Sequence, residues 1–160
     1  MHATKPWSGA FGAARAAGAV LASWAALAAA PAAAQPHELT EGGYVLRSSA
    51  VPSLALSPAI AQSHGVVPRA GTGVLDVSVY RSGRAAWNPL PAQVQASVTD
   101  LTGVKQAIEM KPAPAEGGYI SYYGVFDYLP NQEVEFVVTA RPQGSERELT
   151  LRYHDTVHGF

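Results

Sequence analysis

The amino-acid sequence predicts an all-β protein, an immunoglobulin-like antiparallel β-sandwich of about seven strands with one short helix near the N-terminus. Three observations predict this fold class. Apolar and polar residues alternate with a period of two in most segments after Gly73, as in strands with one buried face. Turn residues separate many of these segments at intervals of about 8 to 12 residues, which is typical of sandwiches. The chain contains no cysteine, so its stability must come from the hydrophobic core and not from disulfides.

The predicted elements begin with a polar segment. Residues Gln35–Gly43 contain a proline and a Gly-Gly pair, and we expect a frayed leader there. A short strand is predicted over Tyr44–Ser48. Ser57 and Pro58 are then suited to the N-cap and the first position of a helix of about two turns, which ends before Gly65.

The remaining elements are predicted strands with one apolar face each. Asp100–Gly103 is predicted as the turn of a hairpin between the second and third of them. The apolar residues of each strand are expected to face the core, as with Leu149, Leu151 and Tyr153 in the last one. The strands are predicted over Leu75–Val79, Val94–Val98, Val104–Lys111, Tyr119–Leu129, Val134–Arg141 and Arg147–His154.

The N-terminal segment predicts export. Lys5 and Arg15 supply a positively charged lead, Ala16–Ala30 is apolar, and a proline then precedes the small residues Ala32–Ala34. The alternative is an uncleaved membrane anchor. The stretch Ala16–Ala34 contains 19 residues, which barely reaches the length of about 20 that a membrane span needs. We therefore predict a signal peptide that is cleaved.

This interpretation divides the chain into a cleavable signal peptide over residues 1–34 and a single β-sandwich domain over residues 35–160. The expected location is the periplasm, reached by the general secretory route, with no stable membrane anchor after cleavage. The domain contains nine Lys and Arg against 12 Asp and Glu, a net charge of −3 without a basic cluster. We therefore expect no binding to nucleic acid and none to anionic lipid.

Histidines provide the only candidate metal ligands that cluster in the sequence. On a helix, His154 and His158 would lie close enough to share one ion, whereas on a strand they would lie roughly 13 Å apart. The preceding alternation favours a strand, so a solvated tail and no cofactor are expected. Metal binding by this pair, with His64 as a further ligand, is the alternative.

The sequence contains no recognisable catalytic constellation. There is no Gly-x-Ser-x-Gly motif, and without cysteine there is no thiolate nucleophile. Glu133 and Glu135 would share one face of a strand, as the paired carboxylates of glycosidases do. They alternate with apolar residues, however, which is also typical of the outer face of a sandwich. We expect a protein that is not an enzyme, and a hydrolase is the alternative.

Strand and turn patterns also give a family resemblance. The chain resembles the small exported proteobacterial proteins of domain-of-unknown-function family four-four-two-six (DUF4426), over nearly all of the predicted domain. The resemblance implies a periplasmic all-β protein of unassigned role. The chain departs from the family pattern at His64 and Asp76, where the family tends to have an aromatic residue and an asparagine. The similar segments are Leu56–Pro58, His64–Val66, the turn through Arg69 and Gly73, Leu75–Val79, Tyr119–Phe126 and Phe136–Gly144.

Aromatic residues are the candidate binding residues. Along the predicted strand, Tyr119 and Tyr123 share one face, and Tyr122 and Tyr128 share the other. One face is expected in the core, and the other forms either an aromatic ladder or a recognition patch. Trp87 lies in a loop and either joins this patch or closes the end of the sandwich. The candidate binding residues are Tyr119, Tyr122, Tyr123, Tyr128, Trp87 and Arg69.

These observations favour a non-catalytic interaction or accessory module, whose partner is an unidentified periplasmic protein or envelope component. The alternative is a small-ligand or metal-binding protein that uses His154 and His158.

Overall fold

Two antiparallel sheets make up the part of the chain that the computed structural model describes, residues 36–83, 89–113 and 120–159. These residues belong to one compact unit, Ala33–Phe160. Sheet A has the strand order β1-β2-β3-β7-β6, and sheet B has the order β5-β4-β8-β9. The strands are β1 (His37–Glu41), β2 (Tyr44–Pro52), β3 (Thr72–Arg81), β4 (Ala92–Thr99), β5 (Lys105–Ile108), β6 (Lys111–Pro112), β7 (Tyr122–Asp127), β8 (Glu133–Pro142) and β9 (Leu149–Thr156).

The predicted all-β sandwich is confirmed, and its core consists of the alternate residues that the sequence pattern selects. In β8, for example, Val134, Phe136 and Val138 are buried, while Glu133 is exposed. Strand β9 follows the same rule, whereas the central strand β3 is buried on both faces, at Thr72, Val74 and Ser78 as well as at its core residues. The shared core contains Leu46, Leu75, Val77, Val79, Val98, Phe126, Val134, Phe136, Val138, Leu149, Leu151 and Tyr153.

The single predicted helix is also confirmed. Helix α1 spans Pro58–Ser63, and the Ser57 hydroxyl accepts a hydrogen bond from the Ile60 amide at 3.3 Å. Gly65 follows with a φ of 64°, a conformation that glycine adopts readily. Among the described residues, no helix is long and apolar enough to cross a membrane.

The prediction of a frayed leader over Gln35–Gly43 is wrong for most of that segment. Strand β1 occupies its middle and pairs with β2 along the whole strand. The turn between them is possible because Gly42 and Gly43 both have positive φ, 57° and 83°. Leu39 packs against the core from this strand.

The predicted strand Val104–Lys111 is divided between the two sheets. Strand β5 pairs with β4 in sheet B, as the predicted hairpin requires, whereas β6 pairs with β7 in sheet A. The chain therefore crosses from one sheet to the other through Glu109 and Met110.

A buried hydrogen bond joins the two sheets. The hydroxyl oxygens of Ser48 in β2 and Tyr153 in β9 lie 2.8 Å apart, with side chains that are almost completely buried. Burial raises the pKa of the Tyr153 phenol, which keeps it protonated and able to donate. Because a buried polar group without a partner is costly, each hydroxyl depends on the other.

We expect Tyr153→Phe to lower the free energy of unfolding by about 1–3 kcal/mol, since it leaves the Ser48 hydroxyl buried without a partner. Urea unfolding of the single variants and of Tyr153→Phe/Ser48→Ala measures the effect. The double variant should cost less than the sum of the two single variants. Strict additivity would contradict the hydrogen bond.

Candidate functional site

An open groove lies at one end of the sandwich, between the turn that follows β4 and the loop that follows β7. Its volume is about 420 Å³. Val98 and Val134 line it as buried residues, while Val104 and Leu129 are 65% and 60% exposed. Leu101, in the same turn as Val104, is 67% exposed. Three branched apolar side chains at this end of the sandwich are therefore exposed to water.

The rim of this end groove carries two carboxylates and no basic residue among its described lining. Hydrogen bonds from the Thr102 hydroxyl and the Val104 amide hold the pKa of Asp100 below its usual value. Asp127 accepts a hydrogen bond from Arg69 at 2.9 Å in an exposed ion pair. Asp100 is thus ionised at neutral pH, and its charge faces the opening.

Tyr128 also lines the groove, and it is one of the binding residues that the sequence predicts. Its side chain is only 8% exposed, and burial raises the pKa of its phenol. No described residue forms a hydrogen bond with its hydroxyl. A hydroxyl without a partner is available to a ligand that enters the groove.

The other predicted tyrosines lie on two different surfaces. Tyr122 packs against the core from the same face of β7 as Phe126, and its phenol oxygen accepts a hydrogen bond from the Ala92 amide at 2.9 Å. Tyr123 lies on the outer face of sheet A, where its hydroxyl donates to the His64 carbonyl oxygen at 2.9 Å. The predicted alternation of faces is confirmed, but Tyr122, Tyr123 and Tyr128 do not form one patch.

Of the remaining candidates, only Arg69 can be placed. It contributes to the edge of the end groove through its ion pair with Asp127. Trp87 and Tyr119 lie outside the described residues.

A second polar cluster lies on the outer face of sheet A, beneath the end of α1. Asp76 in β3 is opposite Tyr123 in β7, and the His64 ring contacts the Tyr123 ring edge-on at 4.2 Å. Burial raises the pKa of Asp76, although a hydrogen bond from Ser121 and the nearby His64 partly offset this. The buried His64 Nδ1 has no hydrogen-bond partner among the described residues.

This cluster contains Ser, His and Asp but not in the order that nucleophilic catalysis requires. A catalytic serine gives its proton to histidine, which the acid orients. Here the hydroxyl of Ser121 bonds to the Asp76 carboxylate, and the Nδ1 of His64 bonds to nothing in the described structure. The arrangement can bind a proton at Asp76, but it does not activate a nucleophile.

We expect Asp76→Asn to raise the free energy of unfolding at pH 7 by about 0.5–2 kcal/mol, the range of ordinary stabilising substitutions. Folding raises the pKa of the Asp76 carboxyl above its ordinary value of 3.8. The contribution of this group to the free energy of unfolding is therefore fully present below pH 3.8 and is lost as pH rises through the folded pKa. The asparagine variant has no such loss. Its advantage should therefore shrink toward pH 4, as urea unfolding at both pH values will measure. Exposed Glu146→Gln is the control, and an equal gain at both pH values would contradict the argument.

The two C-terminal histidines have different surroundings. His154 is exposed on the outer face of sheet B, with its Nδ1 3.5 Å from Glu133 Oε1 and its Nε2 4.0 Å from Glu135 Oε1. His158 follows the end of β9, with its Nδ1 3.3 Å from Asn131 Oδ1. In the described residues, no group of three or more His, Asp or Glu is placed to hold a metal ion.

The paired carboxylates lie on the outer face of the sandwich, as the alternation predicts. Glu135 accepts a hydrogen bond from Arg152 at 2.8 Å, which lowers its pKa. A general acid needs a raised pKa instead. The lowered pKa of Glu135 therefore does not suit the general-acid role in a glycosidase pair.

Sequence reasoning missed most of the end groove, because its residues come from the ends of four strands. The sequence pattern predicts Asp100 only as part of a turn and places Val104 and Leu129 in strands. The available signal was an excess of branched apolar residues immediately beside turn residues, at Leu101, Val104 and Leu129.

Comparison with known proteins adds a family and a fold. The family model described as Domain of unknown function (DUF4426) matches residues 39–159. A search of curated proteins gives no match.

Three solved structures share the fold. A DUF4426 family protein from Pseudomonas aeruginosa PAO1 superposes with a TM-score of 0.67 at 22% identity, covering 78% of this chain and 96% of that one. FetP from uropathogenic E. coli strain F11, recombinantly expressed in the periplasm, gives 0.55 at 14% identity, over 79% and 97%. A copper-bound variant of FetP gives 0.58 at 13% identity, over 78% and 97%.

Proposed function

Because the chain belongs to the DUF4426 family, whose role is unassigned, we propose from its own surface that it is a periplasmic, non-catalytic module that binds a partner through the end groove. The observation that carries this proposal is the groove itself, in which Val104 and Leu129 stay largely exposed beside buried Val98 and Val134. Exposed apolar surface of this kind is typical of interaction sites.

The predicted signal peptide over residues 1–34 supports a periplasmic location. The similar FetP, recombinantly expressed in the periplasm, supports it as well. Fractionation of intact cells, followed by N-terminal sequencing of the protein recovered, tests this location. We expect the periplasmic form to begin at Gln35. Processed protein in the cytosol would contradict the proposal.

Site-specific photo-crosslinking in intact cells tests the binding function. A photoreactive phenylalanine analogue at position 129 should capture a defined envelope protein, whose crosslinked peptide is then identified by mass spectrometry. The matched control is the same analogue at Ile60, which is 48% exposed on α1 and does not line the groove. The same adducts at both positions, or none at position 129, would count against the proposal.

Metal binding is the second candidate function, and the copper-bound FetP variant is the observation that favours it. On this chain the exposed His154 would be the principal ligand, with Glu133 beside it. The nearby Glu135 is engaged by Arg152, so the described residues supply few free donors. Titration calorimetry of tag-free protein with copper(II) and zinc(II) tests this function. Binding that is lost in His154→Ala and kept in His158→Ala would support it, and no binding in the micromolar range would end it.

A further inference from the structure

The chemistry of the end groove indicates what kind of partner it fits. We propose that its occupant is a segment of a partner protein in which an apolar side chain lies next to a lysine or arginine. This inference rests on the proposed binding function and specifies its partner.

The apolar part of the occupant follows from the walls of the groove. Val104 comes from the turn after β4 and Leu129 from the loop after β7, and both line the groove together with the buried Val98 and Val134. An apolar side chain in contact with them would remove this surface from water.

The cationic part follows from the carboxylate oxygens on the rim. The three hydrogen bonds that the Asp100 carboxylate accepts in its turn all go to Oδ1. The bonds that Asp127 accepts from Arg69 and Thr72 also go to its Oδ1. In both residues Oδ2 therefore has no donor among the described residues, although each carboxylate is held in place by its other oxygen.

The other polar groups of the groove can pair with the backbone amides and carbonyls of a peptide segment. The Gln106 side chain reaches from β5 to β7, and its Oε1 accepts a hydrogen bond from the Asp127 amide at 3.2 Å. The Tyr128 hydroxyl has no partner in the described structure. The described lining contains no Lys, Arg or His, and Arg69 at the edge pairs with Asp127 alone, so an anionic occupant would face the Asp100 carboxylate without compensation.

A protein segment fits this surface better than a free small cation does. Leu101, which is 67% exposed, extends the apolar surface along the turn beyond the groove. A ligand confined to the groove would leave this side chain uncovered, whereas a chain that passes across the rim would cover it.

Two matched peptides test the proposal, both acetylated and amidated, one alternating leucine with lysine and the other leucine with glutamate. Amide chemical shifts of the isotope-labelled protein report where each one binds. We expect the lysine peptide to shift Val104, Gln106 and the residues from Asp127 to Leu129. We expect it to bind about tenfold more tightly than the glutamate peptide, and more weakly as salt rises from about 20 to about 300 mM.

Variants identify the groups responsible. Asp100→Asn/Asp127→Asn keeps the oxygen that accepts the local hydrogen bonds but removes both charges. It should weaken binding of the lysine peptide by about tenfold, the scale that loss of charge complementarity produces. Glu146→Gln, an exposed acid outside the groove, should leave binding unchanged.

Three results would overturn the proposal. The two peptides could bind equally well, the shifts could map to another surface, or hexylammonium could bind as tightly as the lysine peptide. The last result would assign the groove to a small organic cation. None of these results would affect a crosslink from position 129, so a failed ligand assignment can be distinguished from a failed binding function.

Discussion

Replacing Phe136 with alanine is expected to lower the free energy of unfolding by about 3–5 kcal/mol, the usual cost of truncating a buried phenylalanine. Phe136 is completely buried in β8 of sheet B. Its ring meets Phe126 of sheet A edge-on at 5.1 Å and stacks on Tyr153 of β9 at 5.2 Å. The substitution therefore removes contacts within one sheet and between the two sheets.

Urea unfolding measures this loss as a lower midpoint with an unchanged slope. A domain of this size has about 5–15 kcal/mol of stability, so the alanine variant could fail to fold. Phe136→Leu is the milder variant, with an expected cost of about 1 kcal/mol. Leu129→Ala, at an exposed position, should stay within about 0.5 kcal/mol of the wild type. A cost of less than about 2 kcal/mol for Phe136→Ala would contradict its central place in the core.

The sequence predicts those parts of the fold whose signal is local. Alternating residues identify the strands and their inward faces, and the pattern of Ser57, Pro58 and Gly65 identifies α1 to within one residue at each end. In each case the element is determined by residues close together in the sequence, through the spacing of apolar residues in the strands and through capping in the helix. The DUF4426 resemblance, also based on local patterns, agrees with the family model over residues 39–159.

Strand β1 could not be predicted in the same way, because little of its stability is local. Its sequence is mainly polar, and Leu39 is the one strongly apolar residue in it. The strand is held by pairing with β2 and by distant contacts. His37 stacks on Tyr153 at 3.8 Å, and its Nε2 lies 3.7 Å from Asp155 Oδ2. No pattern within β1 predicts contacts with residues that lie more than 110 positions away in the sequence.

The candidate site was equally difficult to predict, for a geometric reason. Tyr128 is a candidate from the sequence because exposed tyrosines commonly make recognition patches, and the structure places it in the groove. Its importance there comes instead from a hydroxyl without a partner among the described residues. The companion residues Asp100 and Asp127 are distant in sequence, and only the packing of β4, β5 and β7 brings them to one rim.

The second substitution with a large expected effect is at Gly124, which lies against the segment that crosses from β5 to β6. This glycine is buried in β7 and faces the crossing segment. A Cβ atom placed there would lie 2.8 Å from Met110 Sδ and 2.9 Å from the Glu109 carbonyl oxygen, and it would collide with the Ile108 side chain. The close approach of these two segments is possible because position 124 carries no side chain.

We expect Gly124→Val to lower the free energy of unfolding by about 3 kcal/mol, the upper end of the usual cost of overpacking. The reason is that a backbone carbonyl oxygen is one of the three obstacles, and it cannot move without displacing the crossing segment. Val125→Ala, at the neighbouring exposed position, is the matched control and should change stability by less than about 0.5 kcal/mol. Urea unfolding measures both variants.

A double-mutant cycle with Ile108→Ala separates the steric cause from other effects of the valine. Removal of the isoleucine side chain takes away one obstacle, so Gly124→Val should cost less in that background than in the wild type. The valine should also disturb the end groove, because displacement of the crossing segment would move β5. That strand carries Gln106, whose side chain accepts a hydrogen bond from the Asp127 amide. Amide shifts of Gln106 and Asp127 in Gly124→Ala, a milder variant, report this coupling. Equal costs in both backgrounds, with unchanged amide shifts, would mean that the crossing segment does not rest on Gly124.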